Sequence, residues 1–170
     1  YLTGKKSALP CANLRLYSVY GPYEDPSRLI PTVVLHGLRG ALPPFVNPNV
    51  SRDFLYVDDA CESFVHTAVN LPDDNYGESF NIGTGRCTTI AEIAEIASTM
   101  FSVSDCPAHT MPDREWDLQN WCAAPDKAEQ VLGWKARVSF EDGLRRTVDW
   151  VASLADREGY SNHSKKDSID

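Results

Sequence analysis

Three arginines stand at junctions where a side chain's direction would be fixed. Arg28 opens an apolar periodic run, Arg52 precedes the strand-like FLYV, and Arg114 follows Pro112-Asp113 in an irregular stretch. A guanidinium carries five donors in a rigid fork and takes phosphate or diphosphate bidentately, so arginines brought together by a fold would make an anion grip. Taken singly, each reads as exposed charge. Arg52 raises the sharper question, because Asp53 sits beside it: the two are either a local surface bridge or a guanidinium held on a rigid element to take an anion.

Other chemistries find less support. Gly83-x-Gly85 in NIGTGRCTT follows a strand-like run and precedes a helix-like one, as a dinucleotide-binding turn does. The third small position, however, is Thr88, and no acidic residue ends a second strand about 20 residues on. The pattern reads better as a tight strand-to-helix turn. No G-x-S-x-G marks a hydrolase nucleophile. The carboxylate pairs Asp58-Asp59 and Asp73-Asp74 read as helix caps and solvated charge. His36, His66, His109 and His163 lack paired ligand spacing, so no metal is expected. Five cysteines, Cys11, Cys61, Cys87, Cys106 and Cys122, are an odd number without a C-x-x-C pair, which predicts reduced, mostly buried thiols and a cytoplasmic location.

The 170 residues are 42% apolar, enough for a substantial core, and a net charge of -8 excludes a general nucleic-acid or anionic-membrane surface. No apolar run approaches the roughly 20 residues that span a bilayer, and the first ten residues lack the apolar stretch of a signal peptide. Tyr1 to Pro10 has no initiator Met and leads straight into NLRLYSVYG, which reads as a fold entered partway through.

The elements that must position these residues alternate between strand and helix. Residues 13 to 20 predict a strand ending at Gly21-Pro22, and RLIPTVVLHGLRG a helix with Pro31 in its first turn. SRDFLYV predicts a strand. A helix should follow, capped by Asp58 or Asp59 with Glu62 completing a box, and burying Phe64, Val65, Ala68 and Val69. ESFNI predicts a strand, and Thr89 with Glu92 a capping box for a helix that buries Ile90, Ile93, Ala94, Ala97 and Met100. Pro125 and Gly133 bracket DKAEQVL. Ser139 opens a last helix with Phe140, Leu144, Val148, Val151 and Leu154 on one face. From residue 156 the chain is polar and is expected to be disordered. No linker divides the chain, and the alternation places it in the α/β class.

SVYGP (18 to 22), RLIP (28 to 31), SRDFLYVDD (51 to 59), FNIGTG (80 to 85), PDR (112 to 114) and DKAEQVLGW (126 to 134) together resemble the C-terminal half of the extended short-chain dehydrogenase/reductases acting on nucleotide sugars. In layout they are similar to dTDP-glucose 4,6-dehydratases and NDP-sugar epimerases. The resemblance covers residues 12 to 154. It implies the last strands of a Rossmann-like doubly wound sheet plus a small α/β substrate-binding cap over residues 1–155, the N-terminal Rossmann half being absent. It also implies roles: Arg52 for the diphosphate; Ser18 for the sugar, where relatives have Asn; Arg28 and Leu29 near the nucleotide; Pro43 and Phe45 beside the base; and Thr89, Arg114 and Asp117 in the substrate shell, Asp117 standing where dehydratases have His. Val19 falls where backbone meets the nicotinamide end of the cofactor.

The same resemblance implies NAD or NADP in a full-length enzyme, held by the half not matched here rather than by this chain alone. The Gly-rich cofactor turn, the catalytic Ser/Thr and the Tyr-x-x-x-Lys pair all lie upstream of the matched region. Tyr1 and Lys5 have that last spacing but are followed too soon by the next strand. No catalytic residue is therefore assigned, since such enzymes pass hydride to NAD while a Tyr takes the proton. The implied partner is a nucleotide-diphosphate sugar. A cut sheet should expose apolar edges and helix faces, favouring a homodimer or association with the Rossmann half. Two other readings stand beside this one: a stand-alone, non-catalytic NDP-sugar-binding or partner-binding module, and a structural α/β domain whose arginines are surface charge.

Overall fold

The computed structural model describes residues 2–112 and 118–162. They form two compact units whose segments interleave along the chain. The first is drawn from 1–19, 52–87 and 120–138, and the second from 20–51, 88–119 and 139–170.

In the first unit, β1 (Asn13–Leu16) lies parallel to β5 (Ser79–Ile82), with Leu14 opposite Phe80 and Leu16 opposite Ile82. A parallel pair cannot be closed by a hairpin, and here all of residues 17–78 lies between its strands. Phe80 and Ile82 point to one face and are fully buried, as the period of two requires. β2 (Ser18–Tyr20) pairs with β4 (Phe54–Tyr56), every residue of which is buried. Leu55, Phe80 and Ile82 meet Ala60, Ala128, Leu132 and Trp134 in one cluster. Burying each large apolar side chain contributes about 1.5–3 kcal/mol. Ala128 and Leu132 come from α5 (Asp126–Leu132), which stops at Gly133 in the left-handed region, φ 69°, as a glycine C-cap should.

The helix α3 (Val57–Asn70) is present where the sequence places it, but two expectations about it are corrected. Its N-cap is Tyr56, which makes no side-chain cap bond; Asp58 and Asp59 lie inside the first turn. Asp59 is instead buried, and its Oδ2 accepts from the Arg137 and Val138 amides at 3.0 and 2.9 Å. That anchor rotates the helix, so the inward face is Asp59, Ala60, Ser63 and Thr67. The Ser63 and Thr67 hydroxyls donate to the Ala60 and Ser63 carbonyls and need no other partner. Phe64, Val65 and Val69, expected inside, are 53%, 64% and 76% exposed, and Ala68 is exposed beside them.

In the second unit, α2 (Leu29–Gly37) packs against α4 (Ile90–Phe101) and α6 (Phe140–Ser153). A Cβ on Gly37 would lie 2.3 Å from the Phe101 ring, so only glycine permits that approach of α2 to α4. The capping box at Thr89 and Glu92 forms as predicted, and Ile90, Ile93, Ala94 and Ala97 are buried, while Met100 is only half-buried. Ser139 caps α6 by accepting from the Asp142 amide. Of the expected stripe, Phe140, Leu144 and Val151 are buried, and Val148 and Leu154 half-buried. Within the polar tail Arg157–Asn162 forms a helix, α7, and the Tyr160 hydroxyl on it donates to the Glu24 carbonyl at 2.6 Å, while residues 163–170 lie outside the described residues. No helix among the described residues is long and apolar enough to cross a membrane.

Candidate functional site

In the first unit Asp53 is not half of a surface bridge with Arg52. Asp53 is completely buried. Its Oδ1 accepts from the Thr84 amide at 2.8 Å and the Thr84 hydroxyl at 2.7 Å. Its Oδ2 accepts from the Gly85 amide at 2.9 Å and the Ala123 amide at 3.1 Å. A carboxylate taken out of water needs such a set of donors to be tolerated.

This explains the glycines of NIGTG. A Cβ on Gly83 would stand 2.7 Å from Asp53 Oδ2 and 2.5 Å from the Ala123 Cβ, and Gly85 has φ 77°. The turn is shaped to wrap a carboxylate of its own chain, and its amides at Thr84 and Gly85 are already used. The sequence reading of a tight strand-to-helix turn agrees with this geometry.

The same junction carries a correction. Cys87 and Cys122 form a disulfide, with Cα atoms 5.5 Å apart. Of the remaining cysteines, Cys11 is half-buried, and Cys61 and Cys106 are exposed. The expectation of reduced, mostly buried thiols therefore fails. Two cysteines 35 residues apart give no local spacing signal, and only the fold brings them together. Beside the bridge a cavity of about 390 Å³ is lined by Gly83, Thr84, Ala123 and Trp134, together with the acids Asp126 and Glu129. Lys135 also lines it and pairs with Glu129 at 3.4 Å, so its rim carries both charges.

Ser18, Val19 and Arg52 also belong to this unit. The Ser18 amide donates to the Asp53 carbonyl at 3.0 Å, which sets β2 beside the residue following Arg52. Val19 is half-buried against the Leu55 and Phe80 cluster, and Arg52, on β3 (Ser51–Arg52), is half-buried and engaged by its surroundings.

The second unit holds Arg28, Leu29, Pro43, Phe45 and Thr89. Arg28 is the N-cap of α2, with Leu29 the first helical residue. The Arg28 Nε donates to Glu24 Oε1 at 2.8 Å, and the Arg28 side chain is 58% exposed. Glu24 is the functional candidate that the sequence reading missed; its spacing of four residues before Arg28 in YEDPSR was the available signal. Its side chain is 11% exposed, and Oε2 is buried with no hydrogen-bond partner. Burial pushes its carboxyl up from 4.5 to about 7, against the opposing pull of Arg28. Burial, then the negative charge of Glu24 and Asp25, pushes the Tyr160 phenol up to about 12.

The turn that carries Glu24 is tightly held. Tyr23 adopts φ 68°, in the left-handed region that costs a non-glycine residue energy, and its ring packs 5.1 Å from that of Trp150. Trp150 in turn meets Tyr160 edge-on at 5.3 Å. Asp25 Oδ1 accepts from the amide and the hydroxyl of Ser27.

Pro43 and Phe45 are buried. Phe45 exchanges backbone bonds with Ala108 and Met111, and its ring lies 5.8 Å from His109. The Thr89 hydroxyl is occupied in the capping box, accepting from the Glu92 amide at 3.1 Å and donating to its carboxylate at 2.9 Å. Arg114 and Asp117 lie outside the described residues.

Comparison with known proteins places this geometry in a lineage. Residues 3–147 match the family model described as GDP-mannose 4,6 dehydratase. A dTDP-glucose 4,6-dehydratase of Escherichia coli is 34% identical over 147 residues, covering 77% of this chain and 38% of that protein. The trifunctional UDP-glucose 4,6-dehydratase/UDP-4-keto-6-deoxy-D-glucose 3,5-epimerase/UDP-4-keto-L-rhamnose-reductase of Arabidopsis thaliana is 30% identical, over 86% of this chain and 22% of its own length. Among solved structures, UDP-glucose 4-epimerase of Thermotoga maritima with UDP-glucose superposes with a TM-score of 0.78 at 30% identity, over 88% of this chain and 48% of that one. The Bordetella bronchiseptica enzyme WbmF with NADH gives 0.77 at 29%, over 98% and 54%. The chain thus spans about half the length of these solved structures and less of the curated relatives. Its mixed α/β fold matches the C-terminal part of Rossmann-like epimerases. The chain belongs to the GDP-mannose 4,6-dehydratase family of the extended short-chain dehydrogenase/reductases.

Proposed function

We propose that this chain is the nucleotide-sugar-binding portion of an NAD(P)-dependent nucleotide-sugar epimerase or dehydratase. The observation that carries this reading is the family match over residues 3–147, shared with dehydratases and epimerases of dTDP- and UDP-sugars. In this reading Arg52 holds the diphosphate, Ser18 meets the sugar, and Arg28 with Leu29 serves the nucleotide. Pro43, Phe45, Arg114 and Asp117 complete the substrate shell, and Thr89 supports it by starting α4.

NAD chemistry supplies the hydride acceptor in such enzymes. The one glycine turn here does not fit that cofactor, because the Thr84 and Gly85 amides are bonded to Asp53 and the space over Gly83 is filled. Val19 is the one residue assigned near the cofactor, and the NAD turn and the Tyr-Lys pair belong to a portion outside this chain. No catalytic step is derived from the present residues.

The test is thermal melting of the chain with UDP-glucose, dTDP-glucose and GDP-mannose, repeated for Arg52→Ala. A ligand at a hundred times its Kd stabilises the native state by about 2.7 kcal/mol. A nucleotide-selective rise in Tm that Arg52→Ala removes is the expected result. A rise that Arg52→Ala leaves intact would reassign the anion grip, and no rise with any of the three would overturn the binding role for this chain.

A further inference from the structure

We propose that Glu24 is a positioning residue for Arg28, holding its guanidinium by Nε so that the Nη edge is presented to the nucleotide of a nucleotide sugar; this rests on the binding role proposed above. A guanidinium has two hydrogen-bonding edges, and Glu24 Oε1 takes Nε at 2.8 Å. The Nη groups of Arg28 have no partner among the described residues and stand on a side chain that is 58% exposed. A long, exposed arginine ordinarily spends considerable rotamer entropy on ordering when it meets a ligand. Here that ordering is done in advance by the carboxylate, which is itself fixed. Glu24 lies 11% exposed in a turn pinned at its carbonyl by Tyr160 and at its amide by the Gly21 carbonyl.

The arrangement depends on protonation. A carboxylate makes a charge-assisted bond to Nε, whereas a neutral carboxylic acid makes a weaker one and has a hydroxyl proton to place. Glu24 titrates at about 7, so the strong form of the bond is present above neutrality and fades below it. Among the described residues the charged and titratable groups facing Glu24 are Arg28, Asp25 and Tyr160. Asp25 directs one oxygen to Ser27, and the Tyr160 phenol at about 12 remains neutral across the same range. A sugar-diphosphate diester carries a constant charge near neutral pH, so a change in affinity around pH 7 would belong to the protein.

The experiment measures Kd of the whole chain for UDP-glucose and dTDP-glucose by calorimetry from about pH 6 to about pH 8.5, alongside the Arg28 Nε–H resonance, which reports the pair without ligand. For the wild type, affinity should weaken roughly fivefold toward the acid end with a midpoint near pH 7, as the resonance shifts with the same midpoint. Glu24→Gln keeps a neutral acceptor, so it should bind with a flat pH profile. Glu24→Ala and Arg28→Ala should bind weakly and flatly, with the circular dichroism of the wild type showing that both remain folded. Wild-type binding that is flat across this range, or a Glu24→Gln profile that follows the wild type, would overturn the positioning role and leave the binding role standing. Failure of the wild type to bind either sugar nucleotide at any pH would overturn both.

Discussion

Asp53→Asn should be among the most damaging near-isosteric changes available to this chain. The carboxylate accepts four hydrogen bonds while completely buried. An asparagine placed with its oxygen toward Thr84 keeps the two bonds at Oδ1 and turns its amide hydrogens toward the Gly85 and Ala123 amides, donor against donor. Flipping the side chain moves the same conflict to Thr84. Two charge-assisted bonds are lost, each worth about 1.5–3 kcal/mol. Because Gly85 is exposed and Ala123 half-buried, water can take up part of the loss. The net cost comes to about 2–4 kcal/mol, a large share of a total stability of roughly 5–15 kcal/mol. Urea unfolding followed by tryptophan fluorescence measures this directly, with Trp121 and Trp134 in the same unit. An Asp53→Asn midpoint within about 0.5 kcal/mol of wild type would refute the claim that this carboxylate organises the turn.

Two further outcomes follow from the titration and cysteine chemistry. Glu24 has its carboxyl raised from 4.5 to about 7, so the folded state binds more protons than the unfolded one between those values, and stability should fall as pH rises through that window. The full cost is at most about 3 kcal/mol; Glu24→Gln should therefore unfold at higher urea than wild type at about pH 8 and match it at about pH 4.5, and the opposite order would refute the assignment. Reducing the Cys87–Cys122 bridge should lower Tm, since a loop closed across 35 residues is worth about 3–4 kcal/mol in the chain-entropy account. Cys87→Ser should melt at that lower temperature whether or not reductant is present.

What was legible in the sequence is what local spacing controls. Thr89 and Glu92 are three residues apart, their bonds are local, and the helix they open appears with its predicted buried face at Ile90, Ile93, Ala94 and Ala97. The α3 helix obeys the same periodicity but fails in phase. Its inward direction is set by Asp59 bonding to amides 78 and 79 residues away, and no window over VDDACESFVHTAVN contains that information. Cys87 and Cys122 fail for the same reason. Glu24 was hidden differently: its partner is only four residues away, but its importance comes from a burial that no polar turn such as YEDPSR advertises.

Arg52 and Asp53 are adjacent charges with different surroundings, one half-buried and the other completely buried. In extended backbone, successive side chains point to opposite sides, so two adjacent charges cannot both face the core and cannot easily pair with each other. Arg52, half-buried, ends β3, and Phe54, buried, begins β4 in a different sheet, so Asp53 is the single residue between two strands. Of the two charges the shorter goes inward, and three backbone amides with the Thr84 hydroxyl satisfy it. A carboxylate is acceptor-only and compact, whereas a guanidinium needs acceptors around five donors. Asp53 takes the buried place, and Arg52 keeps the half-exposed one. That assignment makes the stability of the GTG turn and the proposed gripping of an anion separable properties of adjacent residues. Asp53→Asn should lower the urea midpoint through its lost and opposed bonds, while Arg52→Ala, at a half-buried residue engaged by its surroundings, should cost less stability and act on ligand binding as well.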